Sequence, residues 1–238
     1  MTGPGFASCA ESGRAVTYLR SSVRSAHTVA MSTNTQTERG HRWFAATYDL
    51  MTKSGEKKLG RLRARRLAGL HGDVVEIGAG TGANFEHYPS GVRVVAFEPD
   101  PHMLKRAQAR LAALGRGDID LRRAPAEALP LDDASCDAVV STLVLCTVHD
   151  VARTLAEVRR VLRPGGELIF IEHVRGPGAL GRGQDIVQPA WGWFAAGCQM
   201  NRRTEDALRE AGFDIADLEH KKMAPWLPAV IGTARVRG

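Results

Sequence analysis

A carboxylate and a series of glycines stand together in one short segment of the chain. The segment is residues 74–82, VVEIGAGTG, in which four β-branched or acidic residues lead into glycines at alternate positions. Glycine permits a tight turn and lets a ligand approach the backbone closely. The acid Glu76 would repel a pyrophosphate but suits a cationic ammonium group. The spacing therefore predicts a floor for a small ligand that carries an amino group.

The spacing of these glycines also separates the candidate ligands. A dinucleotide fingerprint reads GxGxxG, and its third glycine would fall at position 83, which is Ala83 here. A phosphate loop reads GxxxxGK followed by Ser or Thr, and the chain has no such stretch after residue 74. A Tyr-x-x-x-Lys pair is also missing. A nicotinamide-dependent dehydrogenase is therefore disfavoured.

Further polar residues follow the next predicted strands. Glu98 ends the second strand, about 20 residues beyond the loop, where a carboxylate can accept both hydroxyls of a ribose. Glu127, after Ala126 and the third strand, can meet the amino group of an adenine. Tyr48 lies ahead of the sheet in a segment that can close over the site. An acid at position 98 serves a nicotinamide cofactor equally well, so Glu98 alone does not discriminate.

The elements that must position these residues alternate between strand and helix periods. Short β-branched runs predict buried parallel strands at residues 74–77, 92–97, 119–121, 137–142 and 167–171. Residues 213–219 and 229–236 are two consecutive strands that form a hairpin at the sheet edge. Strands alternating with helices in this way predict an α/β fold with a doubly wound, mostly parallel seven-stranded sheet and a C-terminal antiparallel strand.

Helix boundaries are marked by caps and glycines. Asp100 caps a helix with Pro101 in its first turn, and we expect its buried stripe to be Leu104, Ala107, Leu111 and Leu114. A second helix carries Val151, Leu155, Val158 and Leu162, and stops at the turn of residues 162–166, LRPGG. A third helix begins at Thr204 and ends at Gly212.

Length and composition are those of one globular domain. Residues 41–238 of the 238 form the predicted domain, and residues 1–40, rich in Ser, Thr, Gly and Arg without an apolar period, form a predicted disordered tail in which Met31 is a second candidate start. No stretch approaches the roughly 20 apolar residues that span a bilayer. Four cysteines without a CxxC pair, and with no histidine at ligand spacing, predict neither a metal site nor a disulfide framework, and so a cytoplasmic protein.

The net charge of +6 is concentrated in a basic helix at residues 53–70. Its Lys and Arg residues cover one helical face, whereas Leu59, Leu62 and Leu70 cover the other. We expect a solvated face, and peripheral contact with an anionic membrane is the alternative. Nucleic acid is disfavoured because no aromatic residues are interleaved with the charges. The sequence indicates no oligomeric state.

Four segments in order carry a resemblance to a known family. They are EIGAGTG at 76–82, FEPD at 97–100, AEALP at 126–130 and LRPGG at 162–166. Their order resembles the class I S-adenosylmethionine-dependent methyltransferases over roughly residues 45–175, which implies a Rossmann-like fold, this cofactor and no metal. The resemblance implies that Gly78, Gly80 and Gly82 line the methionine moiety, that Glu98 binds ribose, and that Met103, Ala126 and Glu127 hold adenine. The implied cofactor site also includes Tyr48, Glu76, Ala79, Pro99, Thr142 and Leu143.

The acceptor side must lie beyond the fifth strand. Residues 171–174, IEHV, and the succession up to residue 232 are similar to a branch whose animal members are membrane-associated alkyl thiol S-methyltransferases, although their N-terminal hydrophobic anchor is not seen here. The resemblance implies a small thiol as acceptor, with quinone, phenol or phospholipid methylation, or cofactor binding without catalysis, as alternatives. His173 is the first candidate base and His149 the second. The predicted acceptor pocket contains Trp191, Trp193 and Gln184.

Overall fold

A seven-stranded sheet organises the residues that this computed structural model describes, 58–195 and 197–237. The strands are β1 (Asp73–Ile77), β2 (Arg93–Phe97), β3 (Ile119–Arg122), β4 (Cys136–Thr142), β5 (Leu162–His173), β6 (Phe213–Ala224) and β7 (Leu227–Val236). Their order across the sheet is β3-β2-β1-β4-β5-β7-β6. Strands β1 to β5 pair in parallel, and β7 is antiparallel to both of its neighbours. The predicted fold class is confirmed, including the C-terminal hairpin at the sheet edge.

Two hydrophobic cores lie on opposite faces of the sheet. In β1, Val75 and Ile77 belong to one core and Val74 to the other. In β4, Val139 and Val140 divide in the same way. Successive side chains of a strand point to opposite faces, so a strand that is buried on both sides reads as a continuous apolar run. That is why the central strands were recognisable without an alternating pattern.

Helices connect the strands and cover both faces. They are α1 (residues 58–67), α2 (Pro101–Leu114), α3 (Val151–Val161), α4 (Gly178–Phe194) and α5 (Thr204–Glu210), with a 3₁₀ turn at Phe85–His87. Asp100 caps α2 as predicted, since its carboxylate accepts the backbone N–H groups of His102 at 2.7 Å and Met103 at 3.1 Å. The predicted stripe of α2 is confirmed at Ala107 alone, since Met103 is the other buried residue and Leu104 and Leu111 are only partly buried. Leu114 is 38% exposed because the helix stops there, before the left-handed Gly115.

The LRPGG segment is a bulge within a strand and not a separate turn. Strand β5 already begins at Leu162, and its ladder with β4 jumps from the pair Cys136 and Leu162 to the pair Ala138 and Glu167. The extra residues loop out between these pairs. A Cβ atom on Gly166 would come within 2.9 Å of the Asp137 carbonyl oxygen, so this position accepts only glycine without a shift.

Several basic residues of α1 pair with acidic residues of β6 or are buried in the domain. Arg65 donates to Glu219 at 2.7 Å, and Arg66 pairs with both Asp217 and Glu219 of β6. Arg63 is only 3% exposed. The expectation of an entirely solvated basic face is therefore wrong, because acidic residues of β6 lie opposite it. Membrane contact through this helix stays a prediction.

Several predictions concern residues outside the described part of the chain. These are the disordered tail at residues 1–40, the second start at Met31, the closing residue Tyr48 and the first part of the basic helix. Within residues 58–195 and 197–237, no helix combines the length and apolar character needed to cross a bilayer.

Candidate active site

The glycine loop follows β1 at the carboxyl edge of the sheet. Gly78, Gly80 and Gly82 all have left-handed backbones, with φ of 59°, 58° and 78°. A Cβ atom on Gly78 would lie 2.6 Å from Val144, and one on Gly82 would lie 2.5 Å from the Phe85 ring. A Cβ atom on Gly80 would meet no other atom within 4 Å. The outer glycines are thus required for packing, whereas Gly80 leaves a flat, open patch of backbone where a ligand can lie close.

Glu98 connects this loop to the next strand. One carboxylate oxygen accepts the backbone N–H of Gly80 at 2.7 Å, and the other accepts that of Asp100 at 2.9 Å. Burial raises the pKa of Glu98 to about 7. The carboxylate thus lies beside the open patch of Gly80, at the end of β2, which is where the predicted ribose would be held. The glycine cradle and this acid fit the predicted cofactor.

Glu76 has a different setting from the one that its position in the motif suggests. Its carboxylate is buried and accepts hydrogen bonds from the Asn84 amide at 2.9 Å and from the Tyr88 hydroxyl at 2.9 Å. Burial raises its pKa to about 7. Glu76 therefore holds residues 84–88 beneath the loop, and its predicted contact with an ammonium group stays a prediction. Asn84 and Tyr88 are not among the predicted site residues because neither belongs to the glycine motif.

The other predicted cofactor residues surround the same edge of the sheet. Ala79, Met103 and Ala126 are buried, and Pro99 is partly buried. The backbone N–H of Ala79 donates to the Phe97 carbonyl at 2.9 Å, which joins the loop to β2. These positions are compatible with a wall for an adenine ring, and their contact with the cofactor stays a prediction.

The loop after β4, residues 143–150 and here called the β4 loop, is held by a buried acid. Glu172 of β5 accepts hydrogen bonds from the Ser141 hydroxyl at 2.7 Å and from the backbone N–H groups of Val144 at 3.0 Å and Cys146 at 3.3 Å. Burial raises the pKa of Glu172. The loop begins with a left-handed residue, Leu143, at φ of 59°. A non-glycine residue in this region stores strain that the surrounding contacts must offset.

Two further side chains fix the β4 loop from other directions. Arg202 donates to the carbonyl oxygens of Leu145 and Val148. The Glu127 carboxylate accepts the backbone N–H of His149 at 2.9 Å. Glu127 therefore joins the loops after β3 and β4, and its predicted contact with adenine stays a prediction. His149 is exposed on this loop.

Sequence-distant side chains meet behind the β4 loop. The Cys198 sulfur lies 3.7 Å from the Cys146 sulfur and 3.8 Å from Nδ1 of His173. Hydrogen bonding from Cys146 and the neighbouring His173 lower the pKa of Cys198. Nε2 of His173 lies 3.2 Å from the Met223 sulfur. His173 is thus engaged by sulfur atoms of the chain on both sides of its ring, and its role as a base stays a prediction.

The predicted acceptor residues have three different surroundings. Trp191 lines a shallow cavity of about 330 Å³ that is open to solvent, and the other lining residues are Val187, Ala190, Phe194, Met200 and Trp226. Trp193, by contrast, is 86% exposed, so its prediction as a pocket residue is wrong, since it points away from the core on the outer side of α4.

Gln184 is a structural bridge and not a pocket residue. Its side-chain oxygen accepts the backbone N–H of Gly176 at 2.6 Å, and its amide donates to the carbonyl oxygens of Val174 at 3.4 Å and Met200 at 3.3 Å. A buried amide that is satisfied by the backbone on several sides fixes the segments it joins. Gln184 therefore ties α4 to the end of β5.

Comparisons with known proteins agree with this geometry. Residues 75–170 match the family model described as a methyltransferase domain. Over 180 residues the chain is 40% identical to thiol S-methyltransferase TMT1B of Homo sapiens, which covers 71% of this chain and 73% of the human one. It is 38% identical over 151 residues to thiol S-methyltransferase TMT1A of Homo sapiens, with 62% of each chain covered.

A solved structure shares the fold. An S-adenosylmethionine-dependent methyltransferase of Thermotoga maritima superposes with a TM-score of 0.60 at 23% identity, covering 82% of this chain and 98% of that one. Such a likeness shows the architecture alone, and the relation is carried by the more similar human proteins. The chain belongs to the class I S-adenosylmethionine-dependent methyltransferases, within the branch that contains these two human proteins.

Proposed function

We propose that this enzyme transfers the methyl group of S-adenosylmethionine to the sulfur of a small thiol. One observation carries the choice of acceptor. The similarity to the human thiol S-methyltransferase extends over 180 residues, well beyond the matched domain at residues 75–170. It therefore includes part of the chain outside the matched domain, and it is there that we place acceptor recognition.

The cofactor would be held at the carboxyl edge of β1 to β4. The open backbone patch at Gly80 would receive the methionine moiety, and Glu98 would accept hydrogen bonds from the ribose hydroxyls. Met103 and Ala126 would contact the adenine ring. Bound there, S-adenosylmethionine supplies a methyl group on a cationic sulfur. A thiolate can attack this methyl group directly and displace the cofactor sulfur.

The protein's contribution to this reaction is mainly alignment and exclusion of water. A free thiol has a pKa of about 8.5, so a useful fraction is already ionised at neutral pH. The β4 loop packs against the glycine loop through Val144 and Gly78, and it also carries Cys146 on the acceptor side. This arrangement would bring the two reactants to adjoining sites. Holding them in alignment in this way would accelerate a direct transfer.

The acceptor would enter the cavity beside Trp191. Its lining side chains are aliphatic, aromatic or thioether groups, and the rings of Trp191 and Trp226 meet edge to face at 5.3 Å between centroids. An apolar cavity of this kind favours an alkyl or aryl thiol over a charged one.

The test is a panel of acceptors with radiolabelled S-adenosylmethionine and the purified full chain. An alkyl thiol, an aryl thiol, a reduced quinone and phosphatidylethanolamine vesicles are compared, and the methylated product is identified by mass spectrometry. We expect S-methyl products only. Methylation of the quinone or the lipid without any thiol product would overturn the proposal, and binding of S-adenosylhomocysteine without any product would indicate a non-catalytic protein.

A further inference from the structure

Three side chains that bind soft metals converge behind the β4 loop. They are Cys146 on that loop, His173 at the end of β5 and Cys198 after α4. One ligand atom from each, two sulfurs and a ring nitrogen, lie within 4.8 Å of one another. Among the His, Cys, Asp and Glu residues that the structure describes, these three are the group of potential metal ligands whose atoms come this close together.

The two distances from Cys198 to the other members of this group are close to those between ligands of one tetrahedral ion. For Zn–S bonds of ~2.3 Å and a Zn–N bond of ~2.0 Å, two sulfurs are about 3.8 Å apart and a sulfur and a nitrogen about 3.6 Å apart. The structure has 3.7 Å between the sulfurs of Cys146 and Cys198, and 3.8 Å between Cys198 and Nδ1 of His173. A disulfide would need about 2.05 Å. Two of the three pairs thus have the spacing of ligands on a shared ion, and the third pair, Cys146 and His173, lies within 4.8 Å.

Each ligand is fixed by backbone contacts that do not involve the others' side chains. The backbone N–H of Gln199 donates to the Cys146 carbonyl at 2.7 Å, which ties the two cysteine segments together. Glu172 accepts the Cys146 N–H, and His173 lies in the β5–β7 ladder opposite Ala229. Ligands on elements held in this way are preorganised, which is a requirement for a selective metal site.

The setting of His173 also fixes which ring nitrogen is available. Nε2 lies 3.2 Å from the Met223 sulfur, a weak acceptor that suits an N–H donor. With the proton on Nε2, the lone pair of Nδ1 is directed at Cys198. A metal-bound histidine commonly donates its second nitrogen to a neighbouring acceptor in this manner.

Burial and charge are consistent with a bound divalent ion. Cys146 is 1% exposed and Cys198 is 7% exposed, and Leu143 and Trp191 pack against them. Two buried thiolates would be costly alone, whereas two thiolates, a neutral imidazole and one divalent cation have no net charge. Three protein ligands leave the fourth tetrahedral position open, as in catalytic zinc sites with a Cys₂His set.

We propose that Cys146, His173 and Cys198 form a zinc site whose fourth position binds the acceptor thiol; this last role rests on the proposed function. The thiol loses its proton to solvent on coordination, because a metal-bound thiol is deprotonated. A sulfur lone pair then forms the new S–C bond, and the electrons of the broken C–S⁺ bond remain on the cofactor sulfur. His173 is therefore a ligand in this arrangement and not a general base.

The test measures metal binding without reference to turnover. The full chain with Cys9→Ser is loaded with Zn²⁺ or Co²⁺, dialysed against a weak chelator, and its metal content is determined by mass spectrometry. We expect one equivalent per chain and, for Co²⁺, tetrahedral d–d bands with a thiolate charge-transfer band.

Cys198→Ser and His173→Gln should each weaken the affinity for the metal at least tenfold with an unchanged circular dichroism spectrum. Cys136→Ser is the matched control, since Cys136 is equally buried but bonds only to the Val161 carbonyl.

Absence of stoichiometric uptake, or equal affinity in Cys198→Ser, would overturn the metal site. So would a Cys146–Cys198 disulfide that forms in air in the presence of excess Zn²⁺. Hexanethiol should shift the Co²⁺ spectrum. If hexanethiol is methylated without such a shift, the role of the fourth position is wrong and the proposed function stands. If the spectrum shifts but no thiol is methylated, the metal site stands and the proposed function fails.

Discussion

Gly80 donates its backbone N–H to a carboxylate oxygen of Glu98 at 2.7 Å, across the boundary between two adjacent strands. The loop that would carry the methionine moiety and the acid that would carry the ribose are therefore one connected unit. Because the second oxygen of Glu98 accepts the N–H of Asp100, the same carboxylate also positions the start of α2. Glu98 is therefore the first residue to substitute at this edge of the sheet.

Replacing Glu98 with alanine should weaken cofactor binding. The variant loses both the ribose acceptor and the hydrogen bond to Gly80, so we expect the Kd for S-adenosylhomocysteine to rise at least tenfold, or about 1.4 kcal/mol. Isothermal titration calorimetry measures this. Asp120→Ala is the control, because Asp120 is an exposed carboxylate paired with Arg122 on β3. Equal dissociation constants for Glu98→Ala and the wild type would contradict the assignment.

Two alanine substitutions in the glycine loop should have different effects. At Gly78 the new Cβ would lie 2.6 Å from Val144, so Gly78→Ala should destabilise the fold by about 2–4 kcal/mol from overpacking and left-handed strain together. At Gly80 the Cβ meets open space, so Gly80→Ala should cost only about 1–2 kcal/mol of stability but reduce cofactor affinity strongly. Urea unfolding and calorimetry separate the two. Similar losses of stability at both positions would count against this distinction.

Stability should decrease as the pH rises from about 4.5 to about 7. Burial raises the pKa of Glu76 and of Glu98 from 4.5 to about 7 in the folded chain. Between these values the folded state holds more protons than the unfolded state, so the free energy of unfolding falls as pH rises from about 4.5 to about 7, by at most about 1.4 kcal/mol per unit and group. Urea titrations from pH 5.5 to 8 should show this slope, and Glu76→Gln should reduce it. An unchanged slope in the Glu76→Gln, Glu98→Gln double variant would refute the explanation.

Two neighbouring tryptophans on α4 provide a matched pair for the acceptor cavity. Trp191 lines the cavity, whereas Trp193 is 86% exposed. We expect Trp191→Ala to raise the KM for an alkyl thiol about tenfold, or about 1.4 kcal/mol of lost apolar contact, and Trp193→Ala to leave it within twofold. Steady-state kinetics at saturating S-adenosylmethionine give both values. A larger effect at Trp193 would place the acceptor elsewhere.

Local chemistry made the cofactor half of the fold predictable. Strands buried on both faces read as β-branched runs, and Asp100 with Pro101 marks the start of α2 without reference to the rest of the chain. Helix α4 is not among the predicted elements, because Pro189 and its glycines lower its helical propensity. It forms through tertiary contacts such as those of Gln184 with β5 and the segment after α4.

The convergence of Cys146, His173 and Cys198 could not be predicted because these residues meet only after the sheet assembles. Cys146 and Cys198 are 52 residues apart in the sequence, and His173 is 25 residues from Cys198, so no spacing rule joins them. The cysteine spacing therefore predicts no metal site. The parallel pairing of β4 and β5 brings Cys146 and His173 to one edge of the sheet, and α4 leads the chain back to it at Cys198.

The close approach of Gly78 to Val144 couples the glycine loop directly to the β4 loop. Val144 has one side on the cofactor loop, and two residues later the same loop carries Cys146. Attempts to broaden the range of accepted compounds by reshaping this loop would consequently disturb the affinity for the methyl donor as well. On the proposed function, exchanges at exposed lining residues of α4 such as Val187 and Phe194 would change the acceptor range and leave this contact in place.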